Sequence, residues 1–281
     1  MRIDRSDLLR AGGVALALVV GGAAVLQAHD FWVVPQLFRV PEGWAVQVAG
    51  QTGMNFPESL SAIERGRVAE AELVSAEDRM SVERSFRSGG SLMMEARPDA
   101  SGQWWVAVAL ETRPIRMSAS QFESYLEHDG VWDVLEEWRS SSGSTADSID
   151  ERYTKYAKAL VQVGEGGPEA YGRRVGHPIE FVPLEDPFSL HPGDRFRARL
   201  LWRGEPLVNH VVFAGRAGAG EGPTSHARTD SEGVVEFPVF VSGPWYLKAI
   251  HMAEDPDDSE VEYRSHWATL TFRVPPAEGG E

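Results

Sequence analysis

The sequence predicts a mainly β protein, with two β-sandwich regions of immunoglobulin- or transthyretin-like type linked by a helical pair. Two stretches of short apolar runs with period-two alternation carry this reading, separated by a central stretch whose apolar residues fall three or four apart. Turn signals rich in Gly, Pro and Asp punctuate both alternating stretches. With 281 residues and 42% hydrophobic content, the chain can bury one large core or two smaller ones.

Residues 1–28 read as a secretory signal peptide. Arg2, Arg5 and Arg10 precede an Ala/Gly/Val/Leu run from Ala11 to Leu26, and small residues follow at the end. That run is shorter than the roughly 20 residues that span a bilayer, so a membrane anchor is the weaker alternative. Cleavage is expected after Ala28, or after Ala24. The mature chain is therefore expected outside the cytoplasm.

Residues 29–117 form the first sandwich region. Its strands are Phe31–Pro35, Trp44–Val48, Ala71–Val74 and Trp104–Leu110, with turns at Pro41-Glu42-Gly43, Ser88-Gly89-Gly90 and Pro98 to Gly102. Residues 118–167 form the helical pair. Phe122, Tyr125, Leu126, Val131, Leu135 and Trp138 mark one helix, which Ser118 or Ser120 can cap. Beyond a Ser/Gly linker, Ile149, Tyr153, Tyr156, Ala157, Leu160 and Val161 mark the other, which stops at Gly164 to Pro168. Its stripe is expected to dock on a sheet, with a buried Lys158 able to pair with a carboxylate. Residues 178–275 form the second sandwich region, with short strands from Ile179 to Val274.

Composition narrows the function. A formal charge of −15 makes nucleic acid an unsuitable partner, and the absence of cysteine removes disulfides, thiolate metal sites and cysteine nucleophiles. No Gly-Xaa-Ser-Xaa-Gly, phosphate loop or His-Glu-Xaa-Xaa-His occurs, and no catalytic residue is assigned.

Histidine is the remaining chemistry. Cleavage after Ala28 would leave His29 as the mature terminus, where amine and imidazole can chelate one borderline divalent ion. His251 and His266 lie in consecutive strands; an antiparallel register in which residue numbers sum to 517 sets Ala249 opposite Ala268, Leu247 opposite Leu270 and His251 opposite His266. Two facing imidazoles at the rim of a sandwich can share a metal. The acidic stretch Glu254 to Glu262 reads as a solvated loop, and His177, His191, His210 and His226 as surface or structural residues in or near turns.

His29-Asp30-Phe31-Trp32-Val33-Val34-Pro35 after the apolar segment resembles the start of the DUF4198 family, whose members are often described as periplasmic components of cobalt or nickel uptake systems. Similar segments follow in family order: Gln121 to Leu126, Glu151 to Leu160, Leu184 to Phe188, Arg203 to Leu207, Thr229 to Gly233, Leu247 to Met252 and His266 to Phe272. The resemblance implies a periplasmic binding protein for a divalent transition metal, nickel or cobalt, with copper allowed by ligand chemistry. Its partner would be a membrane transporter component. The expected ligands are His29, His251 and His266, with Asp30 completing or supporting the site. Two other readings stay open: a structural or adhesive sandwich protein without metal, and a copper oxidase using a histidine brace.

Overall fold

The computed structural model describes residues 29–140, 147–255, 258 and 260–277. The expected signal peptide lies outside these residues, as do residues 141–146 of the Ser/Gly linker. Along the chain run β1 (Asp30–Pro35), β2 (Arg39–Val40), β3 (Val46–Gly53), β4 (Val68–Val74), β5 (Arg79–Ser81), β6 (Arg84–Ser88), β7 (Ser91–Ala96), β8 (Gly102–Leu110) and β9 (Arg113–Ser118). Next come α1 (Ala119–His128), α2 (Trp132–Ser140) and β10 (Ser148–Val163). The rest is β11 (Ile179–Pro183), β12 (Arg195–Trp202), β13 (Glu205–Pro206), β14 (Val211–Arg216), β15 (Ser225–Arg228), β16 (Val234–Pro238), β17 (Gly243–Glu254) and β18 (Tyr263–Val274).

The strands form three sheets. One has the order β1-β3-β7-β6, and another joins β11, β13 and β16 to β12. The large sheet between them runs β15-β14-β17-β18-β10-β8-β4-β5, with β2 and β9 also paired to β10. The mainly β class with sandwich regions and two helices is thus the observed one, and the two sandwiches share this middle sheet.

β8 shows why. Every residue from Gly102 to Leu110 is buried. Trp104, Val106, Val108 and Leu110 join Phe31, Val48 and Met94 in one core, while Trp105 and Ala107 join Phe181, Phe196, Leu247 and Leu270 in the other. Burial on both faces is what a near-continuous apolar strand implies.

The second expected helix is instead the 16-residue strand β10. Ala157, Ala159, Val161 and Val163 face the first core and Leu160 the second. Because both faces are buried, apolar residues occur at every spacing, including the helical one, and Lys155 and Lys158 mask the alternation. Lys158 does pair with a carboxylate: its Nζ is 3.0 Å from Glu180, both side chains being buried.

The helical pair is α1 followed by α2, both within the first helical stretch. A capping box between Ser118 and Gln121 starts α1. Gly130, at φ +77°, lets the chain turn into α2. Phe122, Leu126, Leu135 and Trp138 pack on Ile250, Met252, Tyr263 and Trp267, covering one end of β17 and β18. Among the described residues no helix is long and apolar enough to cross a membrane.

Candidate functional site

β17 and β18 pair antiparallel with His251 opposite His266, Ala249 opposite Ala268 and Leu247 opposite Leu270, the register expected from the alternation. Ala249, Leu247, Ala268 and Leu270 belong to the second core, so the two imidazoles stand at the end of that apolar face. Trp202 of β12 packs on both, with ring centroids 4.5 Å from His251 and 4.7 Å from His266. Tyr156 lies nearly parallel to His266 at 6.1 Å and contacts His177 at 5.1 Å.

A third imidazole adjoins the pair. The His210 ring centroid is 5.8 Å from that of His251. Its backbone N–H donates to Thr229 Oγ1, and its Nε2 is 2.9 Å from the carbonyl oxygen of Ile250. With Nε2–H donating to that carbonyl, Nδ1 keeps its lone pair, the arrangement that orients a metal-binding histidine. His266 Nδ1 is buried without a hydrogen-bond partner.

Burial is the leading cause that holds these rings neutral. It brings His177, His210 and His266 down to about 4 and lowers His251. The lone pairs are therefore free of protons at neutral pH. His210 and His251 also line a cleft of about 450 Å³ between α2 and the end of β17, together with Asp133, Glu137 and Glu254. Asp133 is paired with Arg228 at 3.1 Å, so Glu137 and Glu254 supply the negative rim of the opening. Among the described residues no three His, Asp or Glu side chains form a ready-made metal cluster; the imidazoles are arranged as neighbouring pairs.

His29 and Asp30 lie elsewhere. β1 crosses the other face of β17, β18 and β10, where Thr269 Oγ1 donates to the carbonyl of Phe31 at 2.7 Å. Lys155 Nζ donates to the carbonyl of His29 and sits 3.9 Å from the Trp267 ring centroid. Trp267 and His266 are successive residues of one strand, so they point to opposite faces. The sheet therefore separates His29 and Asp30 from His251 and His266, and the expected four-residue set divides into two pairs. Alternation alone fixes faces within a hairpin, but not which face a distant terminal strand will cross.

Asp30 is bound into a buried charge cluster. Lys248 Nζ is 2.7 Å from Asp30 Oδ1 and 2.7 Å from Asp129 Oδ1. Nearby, Tyr125 stacks on Trp267 at 5.8 Å, and its hydroxyl donates to Glu151 at 3.3 Å. Ser265 also donates to Glu151. Burial raises Glu151 to about 7 and lowers Lys155 to about 8. The acidic stretch after β17 is partly neutralised, since Arg152 pairs with Asp258 and Glu260, and Arg264 with Asp255 and Asp258. Residues 256, 257 and 259 of that stretch lie outside the described residues.

His210 is the site residue that sequence reasoning does not single out. Its position in a turn gives no local signal, because its contact with His251 depends on β14 pairing with β17.

No curated protein matches the chain. Among solved structures, the D0-D1 domain of intimin is similar at 10% identity over 86% of this chain and 97% of that one, with a TM-score of 0.21. An Escherichia coli alpha-2-macroglobulin activated by porcine elastase is similar at 10% identity over 89% of this chain and 20% of that one, with a TM-score of 0.23. The I-band fragment I67-I69 from titin is similar at 10% identity over 88% and 66%, with a TM-score of 0.20. The family described as a domain of unknown function, DUF4198, matches residues 26–253, most of the chain, and the chain belongs to that family.

Proposed function

We propose that the chain is a periplasmic binding protein for a divalent transition metal, nickel or cobalt or else copper, associated with metal uptake, and that His251 and His266 are its ligands. The observation that carries the reading is the direct pairing of His251 with His266 across β17 and β18, with His266 Nδ1 buried and unpartnered. Imidazole nitrogen suits these borderline ions, and neutral rings, each with one bare nitrogen, bind without first releasing a proton. His210 stands beside His251 as a further nitrogen donor, and the negative rim of the adjoining cleft draws cations in. A site of two or three imidazoles leaves coordination positions open, which suits cargo that is received and passed to a membrane transporter component. Export by a cleaved signal peptide is part of the proposal.

His29 and Asp30, on the opposite face, are not part of this site. A histidine brace needs the His29 amine beside a second imidazole, so the geometry favours binding over brace chemistry. The test is calorimetric titration of the purified protein with Ni(II), Co(II) and Cu(II). His251→Ala and His266→Ala should each weaken binding at least tenfold, while Asp30→Asn leaves it unchanged. Equal affinity in the two histidine variants and the wild type would refute the assignment.

A further inference from the structure

We propose that a second cleft, on the face of the large sheet away from His251 and His266, binds a small organic carboxylate with an apolar body. This cleft, about 410 Å³ in volume, lies where the start of β1 meets β9 and β10. That volume falls in the usual range for small-molecule sites.

Charge is the first argument. The protein carries a formal −15, yet Arg67, Arg113 and Lys155 all line this cleft and Glu64 is the one carboxylate among its lining residues. Arg67 and Arg113 make no salt bridge among the described residues, and Lys155 donates to a neutral backbone carbonyl. Lys155 also feels the carboxylates of Asp30 and Asp129 behind it, so the two arginines, gathered against the sign of the whole molecule, are what makes a local anion trap.

The second argument is an unmet hydrogen bond. Among the described residues Arg67 Nε is buried with no acceptor, and the guanidinium reaches only the Glu111 carbonyl, at 3.4 Å, through Nη2. A buried donor without a partner is costly, and a carboxylate offers the paired acceptors that a guanidinium fork matches. The third argument is the lining. Phe31, Leu110 and Ile115 provide apolar surface, and Tyr153 presents its ring to both Arg67 and Lys155. Inorganic phosphate would satisfy the charge and leave that surface wet. A carboxylate on an aliphatic or aromatic body satisfies both.

Calorimetric titration of the purified protein at low salt with benzoate, hexanoate and inorganic phosphate tests the proposal. Saturable binding of at least one carboxylate, tighter than phosphate, is expected. Arg113→Gln should weaken it at least tenfold and Arg113→Lys less, with thermal melts showing both variants folded. Arg67→Gln should act in the same direction as Arg113→Gln, and His266→Ala should leave carboxylate binding unchanged, which separates this site from the metal site. No saturable carboxylate binding, phosphate binding more tightly, or binding indifferent to both arginine substitutions overturns it.

Discussion

Lys248 Nζ and Asp30 Oδ1 form an ion pair of 2.7 Å with both residues buried, which ties the first strand of the described chain to β17. Asp129 holds the same ammonium at 2.7 Å from the C-terminal end of α1, so one cation fastens three elements. The partners raise Lys248 despite its burial, and burial raises Asp30. Lys248→Met removes the cation and leaves two buried carboxylates without it. Breaking such a pair from one side costs about 3–5 kcal/mol. Urea unfolding should show a loss of that order, whereas Asp30→Asn, which leaves the Asp129 contact, should cost less. A Lys248→Met protein as stable as wild type would mean that the cluster does not hold β1.

Acid sensitivity should come from the neutral histidines. His177 is brought from the ordinary 6.5 to about 4, mainly by burial. The unfolded chain then binds the proton first as pH falls, so this contribution is whole above about 6.5 and is lost on the way down to about 4. For His177 alone it amounts to about 3 kcal/mol. Glu151 works the other way: raised from 4.5 to about 7, it contributes stability below about 4.5 that is lost as pH rises toward 7. Melts across pH 4 to 7 should show net loss on acidification, because His210 and His266 act with His177. His177→Gln should flatten the curve, and Glu151→Gln should steepen it.

Many of the strands and the His251–His266 register are legible in the sequence because period-two alternation records faces directly, and a hairpin fixes its own register once both strands alternate, whereas β7, β9 and β15 are not among the expected strands. β10 misleads for the opposite reason. Tyr153, Tyr156, Ala157 and Leu160 suit a helix by spacing, yet the segment is buried on both faces and pairs parallel to β18 from far along the chain. Parallel pairing leaves no turn signal between its strands. The Lys248 cluster is illegible too, since Asp30, Asp129 and Lys248 meet only after three elements pack. His210 shows the same limit: nothing near it in sequence announces His251.

Gly130 should tolerate no side chain. It sits at φ +77°, and a Cβ there would come within 2.4 Å of Phe213 Cε2. Gly130→Ala combines left-handed strain of about 1–2 kcal/mol with overpacking of about 1–3 kcal/mol. Gly218, at φ +73°, where an added Cβ would meet no atom within 4 Å, isolates the strain alone. Thermal melts should rank Gly130→Ala well below Gly218→Ala, and equal losses would show that α1 and α2 do not depend on this close approach to β14.

The pH profile of metal binding distinguishes the two faces of the sheet. If the His29 amine and an ordinary imidazole held the ion, protons would compete from about pH 8 downward, since those groups titrate near 7.7 to 8.0 and 6.5. Two unperturbed imidazoles alone would lose affinity about 100-fold by pH 5.5. Burial changes this at the proposed site, because His210 and His266 are brought to about 4 and His251 is lowered. His266 stays neutral at pH 5.5 and His251 is lowered below its ordinary value, so affinity for Ni(II) or Cu(II) should fall far less than that 100-fold between pH 8 and 5.5. It should fall only where the histidines begin to protonate and the fold itself weakens. A steep decline starting near pH 8 would instead place an amine among the ligands and move the site to the face that carries His29.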